Sequence, residues 1–184
     1  MKNKKTFKFT KNVYLKLVDI NDARFIYNLR TNKKLSKYIN PTSLNFKDQL
    51  DWMKKYFIRN NKKQEYYFKF QVKKKTKFLN IGVARIIKLS KDNFSFGSWI
   101  MKPGSLSWQA LECALSIYEF AFIFKKFKKN IMWMDLKNKK VITFHKMMGS
   151  EETRRDKKQL YANLKLSKYK EIKKKFAFFY LKNR

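Results

Sequence analysis

The chain has 184 residues and a formal net charge of +33, which is long enough for one domain with a real core and too short for two of ordinary size. Its 18 Phe and 10 Tyr stand against 4 Gly and 2 Pro, which excludes disordered and collagen-like classes. The single cysteine, Cys113, excludes an internal disulfide framework and a multi-cysteine metal site, and within its apolar stretch it reads as a small buried hydrophobe. The charge invites a nucleic-acid reading. Only seven of the 46 basic residues are Arg, however, and bidentate recognition of bases and phosphates favours Arg over Lys. Abundant Lys, Asn, Ile and Phe with little Ala or Gly is the profile that AT-rich coding imposes on any protein. A basic nucleic-acid-binding module without catalysis stays as an alternative from another class. The opening MKNKKTFKFTKN holds no apolar run of signal-peptide length, and no later stretch reaches membrane-span length. A cytoplasmic protein is the expectation.

In chain order, Val13–Val18 reads as a strand, followed by a helix from Asn21 or Asp22 with Phe25, Ile26 and Leu29 on its apolar side. Asn45 with Asp48 three residues on has the form of a capping box, and Phe46, Leu50, Met53 and Phe57 continue at helical spacing. The period then shortens to two, with Phe68, Phe70 and Val72 alternating against Lys69, Gln71 and Lys73. Two more strands, Asn80–Leu89 and Phe94–Met101, flank the turn set Ser90-Lys91-Asp92-Asn93, which predicts antiparallel hairpins. Pro103-Gly104-Ser105 stops the last of these, with Ser105 as the expected N-cap of a helix running to about Phe127. Its stripe Leu106, Ala110, Cys113, Ala114, Ile117, Ala121 and Phe124 is flanked by Leu111, Leu115, Tyr118 and Phe122, so this helix should be buried on most sides. A strand Asn130–Asp135, a short helix Asn138–Met148 ended by Gly149, and a strand Leu160–Leu166 complete the pattern. Strand, long helix and strand in the centre imply one parallel crossover. Residues 167–184 form an appended helix or tail, and 1–184 is read as one domain.

Two segments carry chemistry. The strand that ends at Met101 delivers the chain onto a helix N-terminus through Gly104-Ser105-Leu106-Ser107, where free N–H groups and the positive dipole end suit a pyrophosphate. The short helix brings Val141, Phe144, His145 and Met148 to one face, and His145 is the sole histidine. A lone His on an apolar face also reads as a core residue bonded to backbone.

Over Val13–Leu166 the order, spacing and motifs resemble the GNAT superfamily of N-acetyltransferases. Asn138, Val141, Phe144-His145 and Gly149 match its late motif. Thr143-Phe144-His145-Lys146, Gly97-Ser98-Trp99-Ile100-Met101-Lys102-Pro103-Gly104 and Ala110-Leu111-Glu112 are similar to a subgroup acting on nucleotide-linked amino sugars in surface polysaccharide synthesis. One departure is the loop Gly104-Ser105-Leu106-Ser107-Trp108-Gln109-Ala110, which lacks the second glycine of the family's pyrophosphate loop.

The resemblance implies an α/β fold (α+β), with a central mixed, mostly antiparallel sheet of about six to seven strands and helices on both faces. It implies acetyl-CoA as co-substrate and no metal. Trp99, Ile100 and Met101 would pair with the pantetheine arm, and Gly104, Ser105, Leu106, Ser107, Trp108 and Gln109 would meet the diphosphate. Asn138, Val141 and Phe144 would flank the coenzyme, and His145 would be the acid for the departing thiolate. Arg30, Thr42 and Trp52 would bind the acceptor, although core packing is the plainer role for Trp52 and for Trp99. Glu112, Asp135 and Glu65 are the carboxylates available as base. Glu112 shares a polar stripe with Ser116 and Glu119, for which a solvated or structural face is the plainer reading; Asp135 reads equally as a helix cap, and a water relayed to backbone near Ser98 serves as well. A protein or ribosomal N-terminal acetyltransferase, in which Glu112 would be at home, is the enzymatic alternative. The partner implied is an amino-sugar nucleotide, with no specific nucleic acid and a monomer or homodimer as the assembly.

Overall fold

Alternating and continuous apolar runs, each bounded by turn residues, pair into one sheet of eight strands. The fold is described from a computed structural model covering residues 6–181. The strands are β1 (Thr6–Phe7), β2 (Val13–Leu17), β3 (Glu65–Lys74), β4 (Lys77–Lys88), β5 (Asn93–Met101), β6 (Lys129–Asp135), β7 (Glu151–Arg155) and β8 (Gln159–Lys165), in spatial order β1-β2-β3-β4-β5-β6-β8-β7. All neighbours are antiparallel except β5 and β6, the parallel crossover that the central helix demands. The expected six to seven strands become eight because β1 has two residues and β7, the Glu-Glu-Thr-Arg-Arg segment, is exposed throughout. Neither presents the alternation by which a half-buried strand is recognised.

Two helices cover one face of the sheet: α1 (Ala23–Thr31) and α2 (Phe46–Asn61). The Asn45 side chain caps α2 by accepting from Lys47 N–H at 3.0 Å, so the N-cap is as expected although Asp48 is not the residue it holds. Ile26, Leu29, Met53 and Tyr56 pack there against Tyr67, Val83 and Ile100. The opposite face is covered by α3 (Ser107–Tyr118), α4 (Lys139–Met147) and α5 (Leu166–Lys175), whose Cys113, Leu115, Tyr118, Ile142 and Tyr169, with Met148 at the C-cap of α4, pack with Phe68, Phe94 and Leu164. Burial pushes the Cys113 thiol pKa well up, as its reading as a hydrophobe requires.

The central helix departs from expectation at both ends. Its N-cap is Leu106, one residue beyond Ser105, and the Gln109 side chain accepts from Leu106 N–H at 2.8 Å. Ser105 instead donates its hydroxyl to the Ile81 carbonyl of β4 at 3.2 Å. Beyond Tyr118 the helix widens into a π-helical turn over Glu119–Phe124, short of the expected Phe127. No helix among the described residues is long and apolar enough to cross a membrane.

Candidate active site

A bulge in β5 organises the site. Val83 pairs with Ile100 and Arg85 with Gly97, so Ser98 and Trp99 together oppose the single residue Ala84. Ser98 takes φ +48, a left-handed conformation that costs a non-glycine residue energy. The extra residue also reverses the side-chain parity of the strand. Phe94, Phe96, Trp99 and Met101 all pack on the α3 side, while Ile100 turns to the α1–α2 side.

The same strand separates from β6. Pairing is confined to Asn93 with Lys129 and Phe94 with Asn130. The next β5 donor, Phe96 N–H, bonds to the side-chain oxygen of Asn130 at 3.1 Å. Past this point Trp99–Met101 keeps β4 on one side and has a free backbone edge on the other. A cleft opens there, lined by Phe96, Ser98, Trp99, Met134, Asn138, Val141 and His145. Such a free edge offers N–H and C=O groups to an extended amide chain, as a sheet edge does to an added strand.

Asn138 is the N-cap of α4 and accepts from Val141 N–H at 3.4 Å. Gly149, at φ +82, supplies the left-handed residue that ends the helix. Phe144 meets Trp99 edge-on at 5.1 Å between centroids. His145 is 4% exposed, and its Nδ1 lies 3.0 Å from the Tyr118 hydroxyl. That contact leaves Nε2 as the nitrogen available to the cleft. Burial lowers the imidazole pKa to about 4, so the ring is neutral at pH 7. The lone histidine is thus both buried in the core and a wall of the cleft.

At the far end of β5, residues 102–106 with Trp108 and Gln109 border a basic groove of about 960 Å³. Lys8, Lys11, Lys73, Lys74 and Lys102 line it, and among the described residues no carboxylate does. Gly104 has φ +82. With Leu106 as N-cap, the first-turn N–H groups of Ser107 and Trp108 have no intrahelical acceptor. Of the twelve residues expected at the coenzyme, Trp99, Asn138 and Val141 therefore line the cleft and Gly104, Ser105, Leu106, Trp108 and Gln109 border the groove. Ile100 has its side chain buried on the other face and offers only backbone.

On the α1–α2 side a cavity of about 330 Å³ is lined by Arg30, Thr42, Gln49, Trp52, Tyr67, Arg85 and Ser98, among others. The three expected acceptor residues fall together here. Arg30 Nε donates to Thr42 Oγ1 at 2.7 Å and its Nη2 to the Asn40 carbonyl at 3.1 Å. Trp52 is no open stacking platform, as its ring lies parallel to Tyr56 at 5.9 Å and carries the Arg59 and Arg85 guanidinium groups at 5.4 and 5.3 Å. Sequence reasoning missed Gln49, Tyr67 and Arg85, which are separated along the chain and converge only through the pairing of β3 with β4 beneath α2.

The carboxylates have other duties. Glu112 is fully buried and accepts from Asn12 N–H, Val13 N–H and Asn12 Nδ2 at 3.0, 3.1 and 2.7 Å, which fixes the start of β2. Its stripe is buried rather than solvated: Ser116 bonds to Thr10 at 3.1 Å, and Glu119 accepts from Tyr169 and Lys173 at 2.6 Å each. Asp135 accepts from Lys137 N–H at 2.7 Å in the turn before α4. Glu65 is paired with Arg59 at 2.6 Å and Arg85 at 3.2 Å.

The family described as Acetyltransferase (GNAT) domain matches residues 12–151. FdhC, described as a nucleotide-linked sugar GNAT and solved in its apo form, is similar at 33% identity and a TM-score of 0.85, covering 97% of this chain and 99% of that one. Spermidine N-acetyltransferase from Vibrio cholerae, in complex with CoA and spermine, is similar in fold at 21% identity and a TM-score of 0.68, covering 86% of this chain and 98% of that one. A domain from Methanocaldococcus jannaschii DSM 2661 shares the fold at 13% identity and a TM-score of 0.66, covering 85% and 99%. No curated protein matches. A match across most of the length, together with the separated parallel pair and the helix that follows it, establishes that the chain belongs to the GNAT acetyltransferase family.

Proposed function

We propose that the protein transfers an acetyl group from acetyl-CoA to the amine of a nucleotide-linked amino sugar by direct attack, in cell-surface glycan synthesis. The observation that carries this reading is Ser98, the one residue that lines both the cleft beside His145 and the cavity beside Arg30. A donor held in one and an acceptor held in the other would meet at the bulge. The likeness to FdhC over nearly the whole of both chains supports the sugar-nucleotide class.

The residues fit the coenzyme. The free edge of Trp99–Met101 suits the amides of a pantetheine arm, and the lysine-lined groove with the α3 N-terminus suits its phosphates. Bound there, acetyl-CoA supplies the activated thioester. Ser98 and Trp99 hold the strained bulge at the point of attack. A neutral His145 can take the proton shed by the attacking amine and return it to the departing sulphur. Tyr118, kept protonated by burial, fixes the ring through Nδ1. Glu112 is committed to the start of β2, which removes the feature that favoured an N-terminal acetyltransferase.

The test is release of free CoA thiol from acetyl-CoA with UDP- and dTDP-linked amino sugars, spermidine and N-terminal peptides in parallel. Turnover on a sugar nucleotide is expected, and turnover confined to spermidine or peptides would overturn the assignment.

A further inference from the structure

Among the described residues, six buried side-chain polar atoms lack a hydrogen-bond partner, and three of them, Gln49 Nε2, Tyr67 Oη and Arg85 Nε, belong to residues lining the single cavity beside α1 and α2. Gln49 is 5% and Tyr67 1% exposed. A buried polar group left unpaired is costly, and three in one cavity mark a site whose partners come from outside the chain. All three atoms are able to donate. Burial raises the Tyr67 pKa, keeping its hydroxyl protonated, although the neighbouring Arg30 and Arg85 guanidinium groups pull the other way.

The charges point the same way. Both hydrogen bonds of Arg30 go to neutral oxygens. Glu65 is shared between Arg59 and Arg85, and the one carboxylate in the cavity lining, Asp48, is exposed. The cavity therefore presents surplus donors and surplus positive charge. A polyamine brings only donors and positive charge, so its ammonium groups find few partners here. An oxyanion brings the acceptors and the negative charge that these donors lack.

We infer that Gln49, Tyr67 and Arg85, with Arg30, form a recognition site for a phosphate group of the acceptor, and that this site selects a nucleotide-linked substrate against a cationic one. The inference rests on the proposed function, because it takes this cavity to be the acceptor's. The Ser98 edge of the cavity then sets the span from bound phosphate to reacting amine.

The test is calorimetric titration of UDP and of dTDP into protein whose coenzyme site is saturated with CoA, with uridine, thymidine and spermidine as controls. A diphosphate should bind, the nucleosides and spermidine should not, and Gln49→Glu and Tyr67→Phe should each weaken diphosphate binding at least tenfold with CoA affinity unchanged. Two variants are used because Gln49→Glu places a charge in a buried site, whereas Tyr67→Phe removes only an unpaired hydroxyl and leaves the fold intact. Absence of diphosphate binding, or equal binding by wild type and Tyr67→Phe, would overturn the inference. Diphosphate binding that depends on both residues, without acetylation of any sugar nucleotide, would keep the phosphate site and sink the proposed reaction. Acetylation of a sugar nucleotide with both variants unaffected would do the reverse.

Discussion

The buried polar groups along α3 and those in the α1–α2 cavity follow opposite plans. Glu112 on α3 accepts three hydrogen bonds and Glu119, in the π-helical turn that follows, accepts two, each from chain segments distant in sequence. In the cavity, Gln49, Tyr67 and Arg85 each hold an unpaired atom. Saturated networks hold structure together, whereas unsaturated ones store binding capacity at some cost in stability. Removing a group from the first set should destabilise the protein, and removing one from the second should leave the fold and take away a ligand.

The largest effect separating the two sets is expected at Glu112. Replacement by Ala strands the buried Val13 N–H and removes both partly buried Asn12 contacts, and should cost about 4 kcal/mol, with a fall in melting temperature of roughly 8–16 °C. Should Glu112→Gln abolish turnover while melting as wild type does, the residue would belong with the site and the contrast would be broken.

His145 lies between the two sets, since it is buried yet lines the cleft. The folded ring binds its proton with a pKa of about 4 against 6.5 ordinarily, so the unfolded chain takes up a proton first as pH falls. Its contribution is complete above pH 6.5 and is lost toward pH 4, by about 3 kcal/mol. Denaturant titrations at pH 7 and pH 4.5 should show His145→Gln losing less stability over that interval than wild type. Parallel losses would place the imidazole outside the core.

Tyr118→Phe sharpens the comparison further, because its hydroxyl serves the histidine and nothing in the cavity. Turnover should fall about tenfold with KM for acetyl-CoA unchanged, and equal loss of coenzyme binding would make the contact purely structural. The smallest change is expected at Gly104, where Ala at φ +82 costs about 1 kcal/mol. CoA affinity measured by calorimetry should weaken several-fold, and an unchanged affinity would move the phosphates away from this loop.

Element order, the parallel crossover and the stop at Gly149 were legible because each rests on local chemistry: period two, period 3.6, a turn set, a left-handed glycine. The bulge was not. Alternation alone sets Ile100 on the face of Phe94 and Phe96, and only the register against β4 reveals that Ser98 reverses it. His145, Asn138 and Arg30 became candidates through motif resemblance, and Arg30 and Thr42 are bonded to each other. Gln49 and Tyr67 carried no signal, since a Gln on a helix and a Tyr in a strand become distinctive only when burial leaves their donors without partners. Ser116 and Glu119 read as a solvated stripe because the segments that cover them, Thr10 and α5, lie far away in sequence.

The proposed reaction requires two separate cavities to deliver donor and acceptor to one point, Ser98. A crystal structure of the ternary complex with CoA and a nucleotide-linked amino sugar measures this directly, through the distance between coenzyme sulphur and acceptor nitrogen. The expected distance is about 4 Å beside Ser98, with the sulphur on the His145 side and a phosphate against Arg30 and Tyr67. A sugar nucleotide bound outside the α1–α2 cavity, or a sulphur and nitrogen held apart on opposite sides of β5, would contradict it.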